Sequence, residues 1–108
     1  MKRSTVFASV LSAFITTSVV SLSVAAHSPL FDCFDNSDGT ATCEGAFSDG
    51  ASASGVGIRV EAANGRILMQ SEMDEASSYT FDIPDQEYSV YFEAGDGHEI
   101  VLFGDDIY

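Results

Sequence analysis

Beyond residue 26, apolar and polar residues take turns along this chain. Val56, Ile58, Val60 and Ala62 alternate with Gly57, Arg59 and Glu61; Tyr79, Phe81 and Ile83 with Thr80 and Asp82; and Tyr88, Val90, Phe92 and Ala94 with Ser89, Tyr91 and Glu93. A period of two is that of a half-buried strand. No stretch sustains a helical period over three turns, so helix is expected to be nearly absent. The pattern predicts strands over Leu30–Asn36, Thr40–Phe47, Val56–Ala63, Arg66–Glu72, a run carrying Tyr79, Phe81 and Ile83, Tyr88–Ala94 and Glu99–Phe103, then a short tail, Gly104–Tyr108. Turn signals separate them. Ser37-Asp38-Gly39 reads as a three-residue hairpin loop, Asn64-Gly65 as a two-residue hairpin, and Gly95-Asp96-Gly97 as a tight connection. Pro84 ends a strand and opens a turn. The small polar run Ser48–Gly55 is expected to be a flexible connection. Short strands with frequent turns predict an all-β fold, a seven-stranded antiparallel β-sandwich. Phe31, Phe47, Tyr79, Phe81, Tyr88 and Phe92 are then mostly core.

The first 26 residues read differently. Met1-Lys2-Arg3 is positive, Val6–Val24 is apolar with interspersed Ser and Thr, and Val24-Ala25-Ala26 supplies small residues before a cleavage point. That is the order of a secretory signal peptide. The Ser and Thr content makes a poor membrane helix, and no Cys stands at the cleavage point for a lipid anchor. Cleavage after Ala26 is expected, leaving residues 27–108 as one small soluble domain, periplasmic or secreted, with no stable membrane insertion. Both cysteines, Cys33 and Cys43, fall in the exported part. In an oxidising compartment they are expected to form a disulfide. They are equidistant from Asp38, so hairpin and disulfide support one another. A two-thiolate metal site is the alternative, at a spacing unusual for zinc.

Charge narrows the function classes. The chain has 4 Lys and Arg against 17 Asp and Glu, a net −13. Lys2 and Arg3 lie in the leader and every acid lies after it, so the mature balance is about −15. A nucleic-acid binder needs a basic face for phosphate neutralisation, and an anionic lipid surface needs the same. Neither fits. The acids are dispersed rather than blocked, which excludes an acidic disordered tail. No nucleophile motif and no CxxC redox pair is present, so an enzyme is not expected.

Two histidines remain in the mature chain, His27 and His98. After cleavage His27 is the first residue, and its α-amine and Nδ1 together chelate one metal ion. His98 supplies a third nitrogen, a donor set suited to Cu(II) or Ni(II). Pro29 has no amide hydrogen and so blocks the chelate that uses deprotonated second and third amides. Asp32, Asp96 and Glu99 are candidate further ligands. Asp35-Asn36-Ser37-Asp38-Gly39 fails as a calcium loop, because an acid is lacking at the first position and Glu at the twelfth. Met69 and Met73 resemble a sparse copper(I) motif but read more simply as core and loop residues.

From Gly55 the chain reads GVGIRVEAANGRILMQSEMDEASSYTFDIPDQEYSVYFEAGDGHEI. This resembles the carboxypeptidase-regulatory-like, transthyretin-like sandwich: a strand, an Asn-Gly turn, a strand, an acidic loop, Tyr-x-Phe, a Pro turn and a final strand pair. With His27 and the AGDGH segment, it is similar to small periplasmic proteins found with nickel and cobalt uptake transporters. That resemblance implies capture of nickel, cobalt or copper through His27 and His98 and delivery to an envelope transporter. The alternative is a non-catalytic β-sandwich interaction module that binds a protein or polymer partner without metal.

Overall fold

The structure is a computed structural model that describes residues 28–95 and 97–108. Its strands are β1 (Pro29–Asp35), β2 (Thr40–Phe47), β3 (Gly57–Ala62), β4 (Ile67–Glu72), β5 (Ser78–Asp82), β6 (Tyr88–Glu93) and β7 (Glu99–Phe103), followed by a 3-10 turn over Gly104–Asp106. They form two antiparallel sheets that face each other, β1-β2-β5 and β4-β3-β6-β7. The expected seven-stranded sandwich is the fold. In immunoglobulin-type sandwiches of constant type the fourth strand lies beside the fifth; here it lies beside the third.

Inward positions of both sheets meet in one core. Ile58, Val60, Val90 and Phe92 from the four-stranded sheet and Ala41 and Cys43 from the other are fully buried. Phe31 stacks on Phe92 with ring centroids 4.6 Å apart, and Phe81 meets Tyr88 edge-on at 6.0 Å. The aromatic residues expected inside all belong to or pack against this core.

The first hairpin agrees closely with the sequence reading. Cys33 pairs with Cys43 in register, and the two form the disulfide. Ser37 and Gly39 both take positive φ, 65° and 95°, and Asn36 N–H donates to the Thr40 carbonyl to close the loop. The Thr40 hydroxyl and amide both donate to Asp38 Oδ1. The hydroxyl bond first, then the amide, holds the Asp38 carboxyl below its ordinary value. A depressed carboxylate contributes stability that is present above the ordinary carboxylate range and is lost as pH falls through the lowered value. The melting-temperature gap between the wild type and Asp38→Asn is therefore expected to close as pH falls through and below the ordinary carboxylate range, as a calorimetric pH series would show.

Two turns depart from expectation. Asn64-Gly65 is not a two-residue turn. Ala62 accepts from the Gly65 amide and itself donates to Arg66, and only Gly65 takes positive φ, 89°. This is a type I turn closed by a Gly bulge, and the β3–β4 register shifts between Val60 and Glu61. That shift is a second bulge, in which Leu68 is the unpaired residue of β4, and it lets Leu68 and Met69 both pack against the core. Gly65→Ala is expected to cost about 1–2 kcal/mol through left-handed strain, read as a lower urea midpoint. The run Ser48–Gly55 is not a loose connection either. Ser52 bridges Ala46, Ala53 is fully buried, and Gly55 N–H donates to the Met73 carbonyl. Small side chains let this loop lie flat over the end of the core, with Met73 buried beside it.

The sandwich has two poles that gather different segments. Phe31 near the start of β1 stacks on Phe92 near the end of β6, and Glu93 pairs with Glu99 across the β6–β7 turn. The start of β1 and that turn therefore share one pole. Gly104–Asp106 and the start of β6 lie at the other, where Ser89 pairs with Phe103.

Candidate functional site

The outer face of the four-stranded sheet carries the most structured surface chemistry. Strand alternation turns Gly57, Arg59 and Glu61 outward from β3, Ser89, Tyr91 and Glu93 from β6, and Glu99, Val101 and Phe103 from β7. Register then sets them in rows: Gly57, Glu93 and Glu99; Arg59, Tyr91 and Val101; Glu61, Ser89 and Phe103.

Arg59 is the centre of this face. Its Nε donates to Glu61 Oε2 at 2.5 Å, and its Nη1 donates to Glu93 Oε2 and, at 3.1 Å, to Glu99 Oε2. The guanidinium carbon sits 4.1 Å from the Tyr91 ring centroid. The bond to Glu61, more than those to Glu93 and Glu99, raises the guanidinium's affinity for its proton and outweighs burial. Gly57 leaves the room Glu93 uses, since a Cβ there would collide with Glu93 Oε1. Each pair alone is worth little, but one cation shared by three carboxylates forms a network. Arg59→Gln is expected to destabilise by about 1–2 kcal/mol. The loss should shrink at about 1 M salt, where carboxylate repulsion is screened; urea titrations at two salt concentrations would measure it.

Below this ring, toward the Gly104 pole, the face opens into a cleft of about 530 Å³ bounded by Glu61, Tyr91, Phe103, Glu87, Asp105 and Asp106. Phe103 is 61% exposed and Val101 beside it 37%. Tyr88 forms the cleft's inner wall, its ring packed so closely on Gly104 that a Cβ at that glycine would lie 2.6 Å from it. Burial first, then the Asp35 and Asp105 charges, push the Tyr88 phenol above its ordinary value, so it stays neutral at physiological pH. The cleft therefore combines an open aromatic wall with carboxylates, the chemistry that recognises cations.

Comparison with protein-family models, curated proteins and solved structures finds no match to the chain. The site must be read from its own residues.

Of the residues singled out from sequence for metal, His98, Asp32 and Glu99 are described. His27 and Asp96 lie outside the described residues. His98 is exposed in the β6–β7 turn, where its amide donates to the Gly95 carbonyl. Asp32 projects from the outer face of the three-stranded sheet, and its Oδ1 accepts from the Cys33 amide. Glu99 projects from the outer face of the other sheet and is engaged by Arg59. Asp32 and Glu99 are thus not brought together. Among the described residues no group of three His, Cys, Asp or Glu side chains gathers at one point. Cys33 and Cys43 are fully accounted for by their disulfide.

Sequence reasoning missed Arg59, Tyr91, Phe103, Asp105 and Asp106 as a group. Alternation marked Arg59 and Tyr91 as outward. The pairing of β3 with β6 joins segments far apart in sequence, and no local signal announces it.

Proposed function

We propose that the chain is an exported, non-enzymatic β-sandwich module that binds a protein partner through the outer face of its four-stranded sheet. The leader, the disulfide and the absence, among the described residues, of a helix long and apolar enough to cross a membrane are all compatible with export. The observation that carries the reading is Phe103, a large aromatic 61% exposed on a face whose neighbouring Val101 is also open, in a chain of net charge −13. Phe103 is the most exposed of the strand-borne apolar residues, and with Val101 it forms an open apolar surface beside a carboxylate-lined cleft, the combination that supports an interaction site. The test is photocrosslinking in cells of the native source, with a benzophenone amino acid at position 103 or, as control, at position 44 on the outer face of the opposite sheet. A discrete adduct is expected from position 103 and none from 44. No adduct from 103, or equal adducts from both, would overturn the reading.

A second reading is capture of nickel, cobalt or copper through His27 and His98 for delivery to an envelope transporter. What favours it is that β1 begins at the pole bearing the His98 turn. Titrating these metals into exported, cleaved protein and into His98→Ala decides it. One-to-one binding that depends on His98 supports it, and no binding tighter than millimolar removes it.

A further inference from the structure

We infer that the partner segment is cationic, and that an arginine or lysine side chain of an extended, partly apolar segment docks on Phe103, beside the Tyr91 ring that Arg59 already covers, between Glu61 and the Asp105–Asp106 turn. This deepens the module reading and rests on it. On this very face the protein already holds one guanidinium, that of Arg59, over Tyr91 and among Glu61, Glu93 and Glu99. That arrangement shows what the face recognises: a planar cation stacked on an aromatic ring and held by carboxylates. One row away the same elements recur. Phe103 presents an open ring, and Glu87, Asp105 and Asp106 stand around the same cleft. None of the residues bounding this cleft is Lys or Arg.

The register adds an apolar component. The row Ile67, Glu61, Ser89 and Phe103 crosses all four strands. Both ends are exposed apolar residues, Ile67 at 48% and Phe103 at 61%. Three strand spacings separate them, roughly 14 Å, the reach of about four extended residues. An extended segment with apolar side chains at its ends and a cation between them matches this row in length and chemistry. An acidic segment meets like charge at Glu61, Glu87, Asp105 and Asp106, and an uncharged one leaves these carboxylates to be desolvated without compensation.

The experiment measures binding of a fluorescent arginine- and leucine-containing peptide by anisotropy at about 0.15 M salt, beside a peptide with glutamine in place of every arginine. Because the whole protein is acidic, diffuse attraction must be separated from a site. Phe103→Ala changes no charge, and Phe103 is exposed enough for the fold to survive, which a melting curve checks. Asp105→Asn with Asp106→Asn removes two charges at the site, and Glu44→Gln with Asp82→Asn removes two on the opposite face. The proposal expects binding of the arginine peptide alone, weakened about tenfold by Phe103→Ala and at least about threefold by the site pair, with little change for the distant pair. Equal losses for the two charge pairs, or none for Phe103→Ala, would mean diffuse attraction and overturn the proposal. Absence of binding would overturn it too. A crosslink from position 103 in that case leaves the module reading standing with a partner of other chemistry.

Discussion

Replacing Phe92 with alanine is expected to lower the free energy of unfolding by about 3–5 kcal/mol. Phe92 is the largest fully buried side chain among the described residues. Its ring stacks on Phe31 at 4.6 Å and meets Phe47 at 6.4 Å. It lies so close over Gly45 that a Cβ on that glycine would sit 2.8 Å from Cε1 and Cζ. The ring thus joins the two sheets where β2 has no side chain of its own to offer. Alanine leaves a cavity lined by Phe31, Phe47 and Gly45, and the backbone at Gly45 has nothing with which to fill it. A domain of this size holds about 4–12 kcal/mol in all, so the variant sits at the edge of folding. Urea unfolding followed by tyrosine fluorescence, the only strong intrinsic signal in a chain without Trp, would give the value. A loss below about 1 kcal/mol would contradict the packing described. The complementary change, Gly45→Val, overfills the same place and is expected to cost about 1–3 kcal/mol.

The second large effect is reduction of the disulfide. Cys33 and Cys43 stand opposite each other on neighbouring strands, and both face the core, at 5% and 0% exposure. Opening the closed loop of about eleven residues frees the unfolded chain by about 3 kcal/mol in the entropy model. For a domain of this size that lowers the melting temperature by about 12–24 °C. Calorimetry of Cys33→Ala with Cys43→Ala, compared with the oxidised and the reduced wild type, measures it. The double variant should melt near the reduced protein. If all three melted together, the bond would contribute nothing to holding β1 on β2. Because both sulfurs are buried, reductant is expected to act slowly on the folded protein and quickly in urea.

The sequence revealed those parts of the fold that depend on local spacing. Cys33 and Cys43 flank Asp38 symmetrically, so one hairpin explained turn, register and disulfide together. Alternation in Val56–Ala62 and Tyr88–Glu93 marked the inward residues correctly. What stayed hidden depends on non-local pairing. Arg59 and Glu99 are forty positions apart, and nothing near either announces the other until β3, β6 and β7 are laid side by side. At Asn64-Gly65 the dipeptide matched a two-residue turn, but the loop takes a third residue and only Gly65 is left-handed; the separate bulge at Leu68 has no turn signal to announce it. In Ser48–Gly55 the small residues looked mobile. Their smallness is what lets Ala53 sink into the core. Phe103 was readable in principle, because Ile100 and Leu102 turn inward and therefore Val101 and Phe103 do not. As a short apolar run, β7 masked its own alternation. The metal reading drew on the two rare histidines, while the densest surface chemistry is built from common residue types that register brings together.

The most direct measurement is amide chemical-shift mapping of the isotope-labelled protein during titration with the arginine- and leucine-containing peptide. Saturable shifts confined to Glu61, Ser89, Tyr91 and the Phe103–Asp106 segment are expected, with the midpoint moved to about tenfold higher peptide concentration in Phe103→Ala. Shifts spread evenly over acidic positions of both sheets, or centred on the His98 pole, would contradict a cation-binding face on the four-stranded sheet.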